Sequence, residues 1–161
     1  MKNDQGTFFR EVTLRISGSL EIRTALSRLM GYLKKYMPVD DIALYYLSED
    51  RKYITPLANT RRNGSADDGD LRTVRIDSDM RREFVESREK NDRVAIYNDP
   101  NKAPITIRRH FPELRGCSVI RLPLVIESKA IGGMGISAHG PGRFTADHAD
   151  LIESVREPIA L

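Results

Sequence analysis

The feature that most narrows what this chain can fold into is a pair of long apolar runs in its last third. Cys117 to Ile126 is apolar apart from a few positions, Glu127-Ser128-Lys129 is polar, and Ala130 to Ala138 returns as a second run rich in Ile and Gly. Two such runs joined by a short polar break read as a β-hairpin. A hairpin alone is marginal in water, and earlier segments offer it partners. Ile42 to Leu47 and Tyr53 to Ala58 form another hairpin around Ser48-Glu49-Asp50-Arg51-Lys52. Leu71 to Ile76 reads as a weaker strand and Val94 to Tyr97 as a brief one, with a polar, Gly-containing loop from Arg61 to Asp70 and a turn at Asn98-Asp99-Pro100-Asn101.

On either side of these strands the hydrophobic period changes from sheet-like to helical. Residues 7–37 read as helix in two pieces: Phe9, Val12 and Ile16 first, then, after Ser17-Gly18-Ser19, a stripe of Ile22, Ala25, Leu26, Leu29, Met30, Leu33, Tyr36 and Met37. Ser19 or Glu21 opens the second piece. Pro38 stops it, because proline lacks the N–H of the next helical bond and clashes with the preceding turn. Asp79 is the expected cap of a helix to about Glu89 that turns Met80, Phe84 and Ser87 inward. Residues 101–116 are irregular or short helix and carry Ile105, Ile107, Phe111 and Leu114. After Gly140-Pro141-Gly142, Thr145 caps a last helix over residues 144–161 with Leu151, Ile152, Val155 and Ile159 on one stripe. That stripe is unfinished at Leu161, so the expectation is a helix that continues into a longer polypeptide.

Composition excludes several classes. A length of 161 residues suits one domain. The 26 basic residues face 23 acidic ones, and the charges are interleaved, as in Glu86-Ser87-Arg88-Glu89-Lys90. Nucleic-acid surfaces need clustered charge, so Arg61-Arg62 and Arg108-Arg109-His110 read as solvated positions and no direct nucleic-acid binding is expected. One cysteine, Cys117, rules out an internal disulfide and a zinc-finger spacing. The start of the chain lacks the apolar core of a signal peptide, and no apolar run approaches a membrane span. The expected location is the cytoplasm, away from membranes.

The order helix, hairpin, loop, strand, helix, irregular segment, hairpin, helix resembles the layout of a GAF domain. The most specific stretch is Ser118-Val119-Ile120-Arg121-Leu122-Pro123-Leu124, the Glu127-Ser128-Lys129 turn, Ala130-Ile131-Gly132-Gly133-Met134-Gly135-Ile136 and Phe144-Thr145-Ala146-Asp147. This is similar to the GAF pattern of a strand ending in Pro-Leu, a hairpin, an Ile-Gly-rich strand and a helix opened by Phe-Thr. The resemblance implies an α+β fold, a GAF/PAS-like antiparallel sheet with terminal helices on one face and a ligand-pocket segment on the other. The whole chain, 1–161, is then one domain, with N-terminal helices over 7–37, sheet and pocket over 41–138 and a C-terminal helix over 144–161.

Phe8-Phe9-Arg10-Glu11-Val12-Thr13-Leu14-Arg15-Ile16, followed by Ser19-Leu20-Glu21-Ile22, further resembles GAF modules that precede sigma-54-dependent transcriptional activators. That implies an AAA+ ATPase and a Fis-type helix-turn-helix elsewhere in the full-length protein; these residues contain no phosphate-binding loop. The implied role is a bacterial signal-input domain that binds a small molecule or partner and signals through its terminal helices. A ligand-free dimerisation module is the alternative, and a small enzyme comes third. The fold family includes a methionine sulfoxide reductase, whose chemistry needs more cysteine than one.

Gly132-Gly133-Met134-Gly135 is not followed directly by a helix, as a dinucleotide fingerprint requires; the expectation is glycine that lets a helix pack closely on the sheet. Asp147, His148 and Asp150 suit a helix start and its dipole better than a metal. Cys117 with His110 is the only Cys/His pair close in sequence and reads as structural, and none of the three histidines suggests a nucleophile with its base. No catalytic residue, metal or cofactor is expected, and an unidentified small-molecule effector is an open alternative to a ligand-free module. By the resemblance, its pocket lies between the sheet and residues 79–116, lined by Tyr45 or Tyr46, Phe84, Tyr97, Ile105, Phe111 and Arg121, with Arg108 and Arg109 on the segment above. Arg121 interrupts an apolar strand, where a charge is costly without a partner: it either pairs with an internal carboxylate, the preferred reading, or receives an anionic effector. A pocket collapsed into packed core is the remaining option. Phe8, Phe9, Val12 and Ile16 exceed one buried face and are the expected seam of a homodimer.

Overall fold

The computed structural model describes residues 20–60, 72–86 and 93–154. The expected seam residues Phe8, Phe9, Val12 and Ile16, the loop from Arg61 to Asp70, and Val155 and Ile159 lie outside them. The chain runs α1 (Leu20–Leu33), β1 (Asp41–Leu47), β2 (Tyr53–Asn59), β3 (Val74–Arg75), α2 (Ser78–Glu86), β4 (Ala95–Tyr97), a 3-10 turn (Pro100–Lys102), α3 (Ile105–His110), a second 3-10 turn (Pro112–Leu114), β5 (Cys117–Ile126), β6 (Lys129–His139) and α4 (Ala146–Ser154). Of the expected strand over Leu71 to Ile76, Leu71 lies outside the described residues, and among those described Val74 and Arg75 pair, opposite Ile54 and Tyr53 on the sheet edge.

The strands form one antiparallel sheet in the order β3-β2-β1-β6-β5-β4. The β5–β6 turn is tighter than the sequence implies. Lys129 pairs with Ile126, leaving Glu127 (φ 50°) and Ser128 (φ 63°) as the two turn residues. Positive φ at both central positions is the primed turn whose twist matches the flanking strands.

Strand alternation divides the molecule into two layers. One face of the sheet carries Ile42 from β1, Ile120, Leu122 and Leu124 from β5, and Met134 and Ile136 from β6. Leu26, Leu33 and Met37 from α1 and its following turn, with Phe144 and Ile152 from the α4 region, cover that face. Leu33, Ile42, Ile120, Leu122, Met134, Ile136 and Ile152 are fully buried, and each such side chain contributes about 1.5–3 kcal/mol relative to exposure. The α1 stripe is narrower than its periodicity suggests: Ala25 and Tyr36 are exposed, and the Tyr36 ring lies 5.3 Å from that of Tyr32 on the outer surface. Regular helix ends at Leu33, and the Met37 N–H closes one more turn onto Leu33 O at 2.9 Å before Pro38.

The cap of α2 is Asp77, not Asp79. Asp77 Oδ1 accepts from the Met80 N–H at 2.9 Å, the three-residue reach that satisfies an unpaired first-turn donor. At α4 the expected cap is found: Thr145 Oγ1 accepts from the His148 N–H at 3.3 Å, and His148 Nδ1 accepts from the Thr145 N–H at 3.0 Å. The reciprocal pair is a capping box with histidine in the position usually held by Glu or Gln.

Candidate functional site

The other face of the sheet is the floor of a cavity of about 610 Å³, within the size range of small-molecule sites. The floor is low where Ala43, Gly135 and Ala95 face the cavity, because these residues are small. Asn59, Ala43, Gly135, Arg121 and Ala95 stand in register across β2, β1, β6, β5 and β4. A Cβ built on Gly135 would meet nothing within 4 Å. Tyr45 rises beside this row and Tyr97 borders it on β4.

Phe84 from α2, Thr106 and Ile107 from α3, and Phe111 and Leu114 beyond it form the cover. Side-chain bonds hold it as a unit. Both Glu83 carboxylate oxygens accept from the Ile105 N–H at 3.0 Å, serving a donor that the start of α3 leaves unpaired. Arg109 spans from α3 to the start of α2, at 2.8 Å from Asp77 Oδ2 and 2.9 Å from Asp79 Oδ2. The Met80 N–H bond, with Arg109 adding to it, holds the Asp77 carboxyl below its ordinary range.

The expected pocket residues divide as follows. Tyr45, Phe84, Tyr97, Phe111 and Arg121 line the cavity. Tyr46, the alternative to Tyr45, is buried and does not line it. Ile105 does not line it either; it packs with Leu47, Ile54, Ile76 and Met80 in a second small core. Arg108 turns away, its Nε donating to Ala103 O at 2.8 Å. The short helix puts its N-terminal turn on Glu83 and its last turn on Asp77 and Asp79, and that phase leaves Thr106 and Ile107 facing inward. Asp41, Ala43, Glu83 and Gly135 also border the cavity, and the sequence does not point to them as lining residues. Strand alternation from Tyr45 is the signal that points to Ala43.

Among the described residues Arg121 does not have the carboxylate partner that the sequence reading prefers. Among the described residues it makes no ion pair, and its Nε is buried without a hydrogen-bond partner. Asp41 accepts instead from Thr60 Oγ1 at 2.8 Å. Burial raises the Tyr45 phenol above its ordinary pKa, with the Arg121 charge opposing this more weakly, so the phenol is neutral and able to donate a hydrogen bond.

The β6 glycines serve strands and a side chain rather than a packed helix. A Cβ on Gly132 would collide with the backbone carbonyl of Tyr45, and one on Gly133 with the Tyr45 phenol. Cys117 is buried, and its Sγ lies 3.5 Å from His139 Nδ1, so its neighbour in space is His139 and not His110. Among the described residues no cluster of His, Cys, Asp or Glu has the makings of a metal site.

A polar latch joins the cavity edge to α4. Directly after Tyr97, Asn98 Nδ2 donates to Phe144 O at 2.7 Å, and Asn98 Oδ1 accepts from the Phe144 N–H at 3.0 Å. The Gly142 N–H donates to Asn98 O at 2.9 Å. Ser118, fully buried, accepts from the Arg143 N–H at 3.2 Å and donates to Gly140 O at 2.7 Å.

Comparison with known proteins bears on this architecture. A family model described as GAF domain matches residues 19–161. No curated protein matches the chain. Among solved structures, a GAF domain/HD domain protein from Geobacter sulfurreducens is similar at a TM-score of 0.62 and 18% identity, covering 89% of this chain and 92% of that one. The GAF domain of a two-component sensor histidine kinase from Bacillus halodurans is similar at 0.59 and 13%, covering 88% and 91%. A type II free methionine-R-sulfoxide reductase from Thermoplasma acidophilum is similar at 0.57 and 16%, covering 86% and 88%. At these identities the likeness is one of fold.

Proposed function

The chain belongs to the GAF domain family, and we propose that it is a non-catalytic sensory input domain that binds a small molecule in the cavity between its sheet and the α2–α3 cover. The observation that carries this reading is the floor itself. Ala43, Gly135 and Ala95 leave a cavity of about 610 Å³ beneath a cover fastened by Glu83 and Arg109. A core that served packing alone would fill such a space, since native interiors hold few voids larger than a water molecule.

In this proposal a ligand touching Tyr97 and the cover shifts β4, and the Asn98 latch passes the shift to the start of α4. A ligand biases such an equilibrium only as far as it binds the two states unequally. The position of Cys117 beside His139, away from the cavity lining, supports a binding role over thiol chemistry there. The finer context belongs to the same proposal: a cytoplasmic homodimer with its seam along Phe8, Phe9, Val12 and Ile16, acting as the input domain of a sigma-54-dependent activator. No helix among the described residues is long and apolar enough to cross a membrane.

Native mass spectrometry of the purified 161-residue chain tests binding and association in one experiment. The expected species is two chains, each carrying a small molecule. Ala43→Phe, which fills the floor, should lose the small molecule and keep the dimer; Phe9→Asp should lose the dimer. Bare chains in every preparation would contradict the binding proposal, and a monomer at all concentrations would contradict the association. A dimer without added mass supports the alternative, a ligand-free dimerisation module.

A further inference from the structure

The inference that follows rests on the cavity reading and gives its ligand a chemistry. Arg121 lies in the middle of β5 between Ile120 and Leu122, both 0% exposed. A guanidinium keeps its charge and offers only donors, and a buried donor without an acceptor is costly. The Arg121 Nε is such a donor. Two carboxylates bordering the same cavity are committed elsewhere, Asp41 to Thr60 Oγ1 and Glu83 to the Ile105 N–H. Glu113, the third, is exposed, and none of them pairs with Arg121. The cross-strand neighbours of Arg121 are Gly135 and Ala95, neither of which carries a bulky side chain.

The rest of the wall is of another kind. Phe84, Ile107, Phe111, Val119 and Pro123 offer apolar surface around this interior cation. Arg93 and Lys102, which also border the cavity, are exposed. We propose that the ligand is a small organic monoacid, whose carboxylate is held by Arg121 and whose ring-sized apolar body lies over Gly135 and Ala43 beneath Phe84 and Phe111. A carboxylate matches the planar fork of one guanidinium, with two parallel hydrogen bonds available. A bare inorganic anion leaves the apolar walls unused, and a neutral apolar molecule leaves Nε without an acceptor.

Isothermal titration calorimetry of the 161-residue chain with phenylacetate, phenylacetamide and inorganic phosphate at constant ionic strength tests this. Phenylacetate should bind at least tenfold more tightly than the amide, and phosphate should not compete with it. Arg121→Met should abolish the preference for acid over amide while leaving amide binding in place. Gly135→Val keeps Arg121 and suits a strand, so with an unchanged circular dichroism spectrum it should weaken phenylacetate at least tenfold by filling the space beside the guanidinium. Equal affinity for acid and amide, or an acid preference that survives Arg121→Met, overturns the monoacid and leaves the cavity reading standing. Phosphate binding as tightly as phenylacetate overturns the requirement for an apolar body. Binding of neither acid nor amide also overturns the monoacid, and the native mass measurement then judges the cavity reading separately.

Discussion

Gly132, Gly133 and Gly135 share one strand but meet different surroundings. Gly132 faces the Tyr45 carbonyl, which is backbone and cannot move aside; Gly133 faces the Tyr45 phenol; Gly135 faces open space. Overpacking a fitted site costs about 1–3 kcal/mol, whereas a substitution that touches nothing stays within about 0.5 kcal/mol. Gly132→Ala should therefore lower the urea midpoint clearly and Gly135→Ala hardly at all; equal losses would contradict the contact assignment. The glycine cluster was visible in the sequence, but its reason was not, because cross-strand register decides which glycine meets which group. Arg121 shows the same limit. A charge within Val119-Ile120-Arg121-Leu122-Pro123 is conspicuous in one dimension, while the commitment of Asp41 and Glu83 to other donors emerges only in three.

At the scale of elements, both hairpins and α4 were legible because period and turn chemistry agree there. The segment over 101–116 was legible only as short helix. Its phase depends on Glu83 and on the Arg109 bridge, both long-range, and so Ile105 and Arg108 were placed on the wrong side. The α2 cap differs from the expected Asp79 because Asp77, Ser78 and Asp79 are all competent caps; Asp77 takes the Met80 N–H, and Asp79 serves Arg109. This clamp has a pH signature. The Asp77 carboxyl is held below its ordinary range by the Met80 N–H bond and by Arg109. A group depressed on folding contributes stability above its unfolded pKa, and that contribution is lost as pH falls through the folded value. The urea midpoint should therefore drop as pH falls below about 4, where unperturbed Asp begins to protonate, and Asp77→Asn should show a shallower drop. Because these groups are exposed, added salt should narrow the difference. Parallel curves for the two proteins would contradict the clamp.

For the molecule as a whole, the sheet separates an apolar core under α1 and α4 from a cavity under α2 and α3. The helical stripes at the ends and the strands between were legible in the sequence, and the resemblance to the GAF layout implied the two-sided plan. The connection between the sides was not legible. Asn98 looks like an ordinary turn residue, and its two side-chain bonds to Phe144, 46 positions away, give it a structural role. The central claim is that occupancy of the cavity is felt at α4 through that latch. Hydrogen–deuterium exchange with saturating phenylacetate, followed by mass spectrometry, tests it most directly. The account predicts slowed exchange in residues 105–111 and a changed rate in residues 146–154, with Asn98→Ala keeping the first effect and losing the second. An α4 response that persists in Asn98→Ala, or no response in α4 of the unaltered chain, would contradict it.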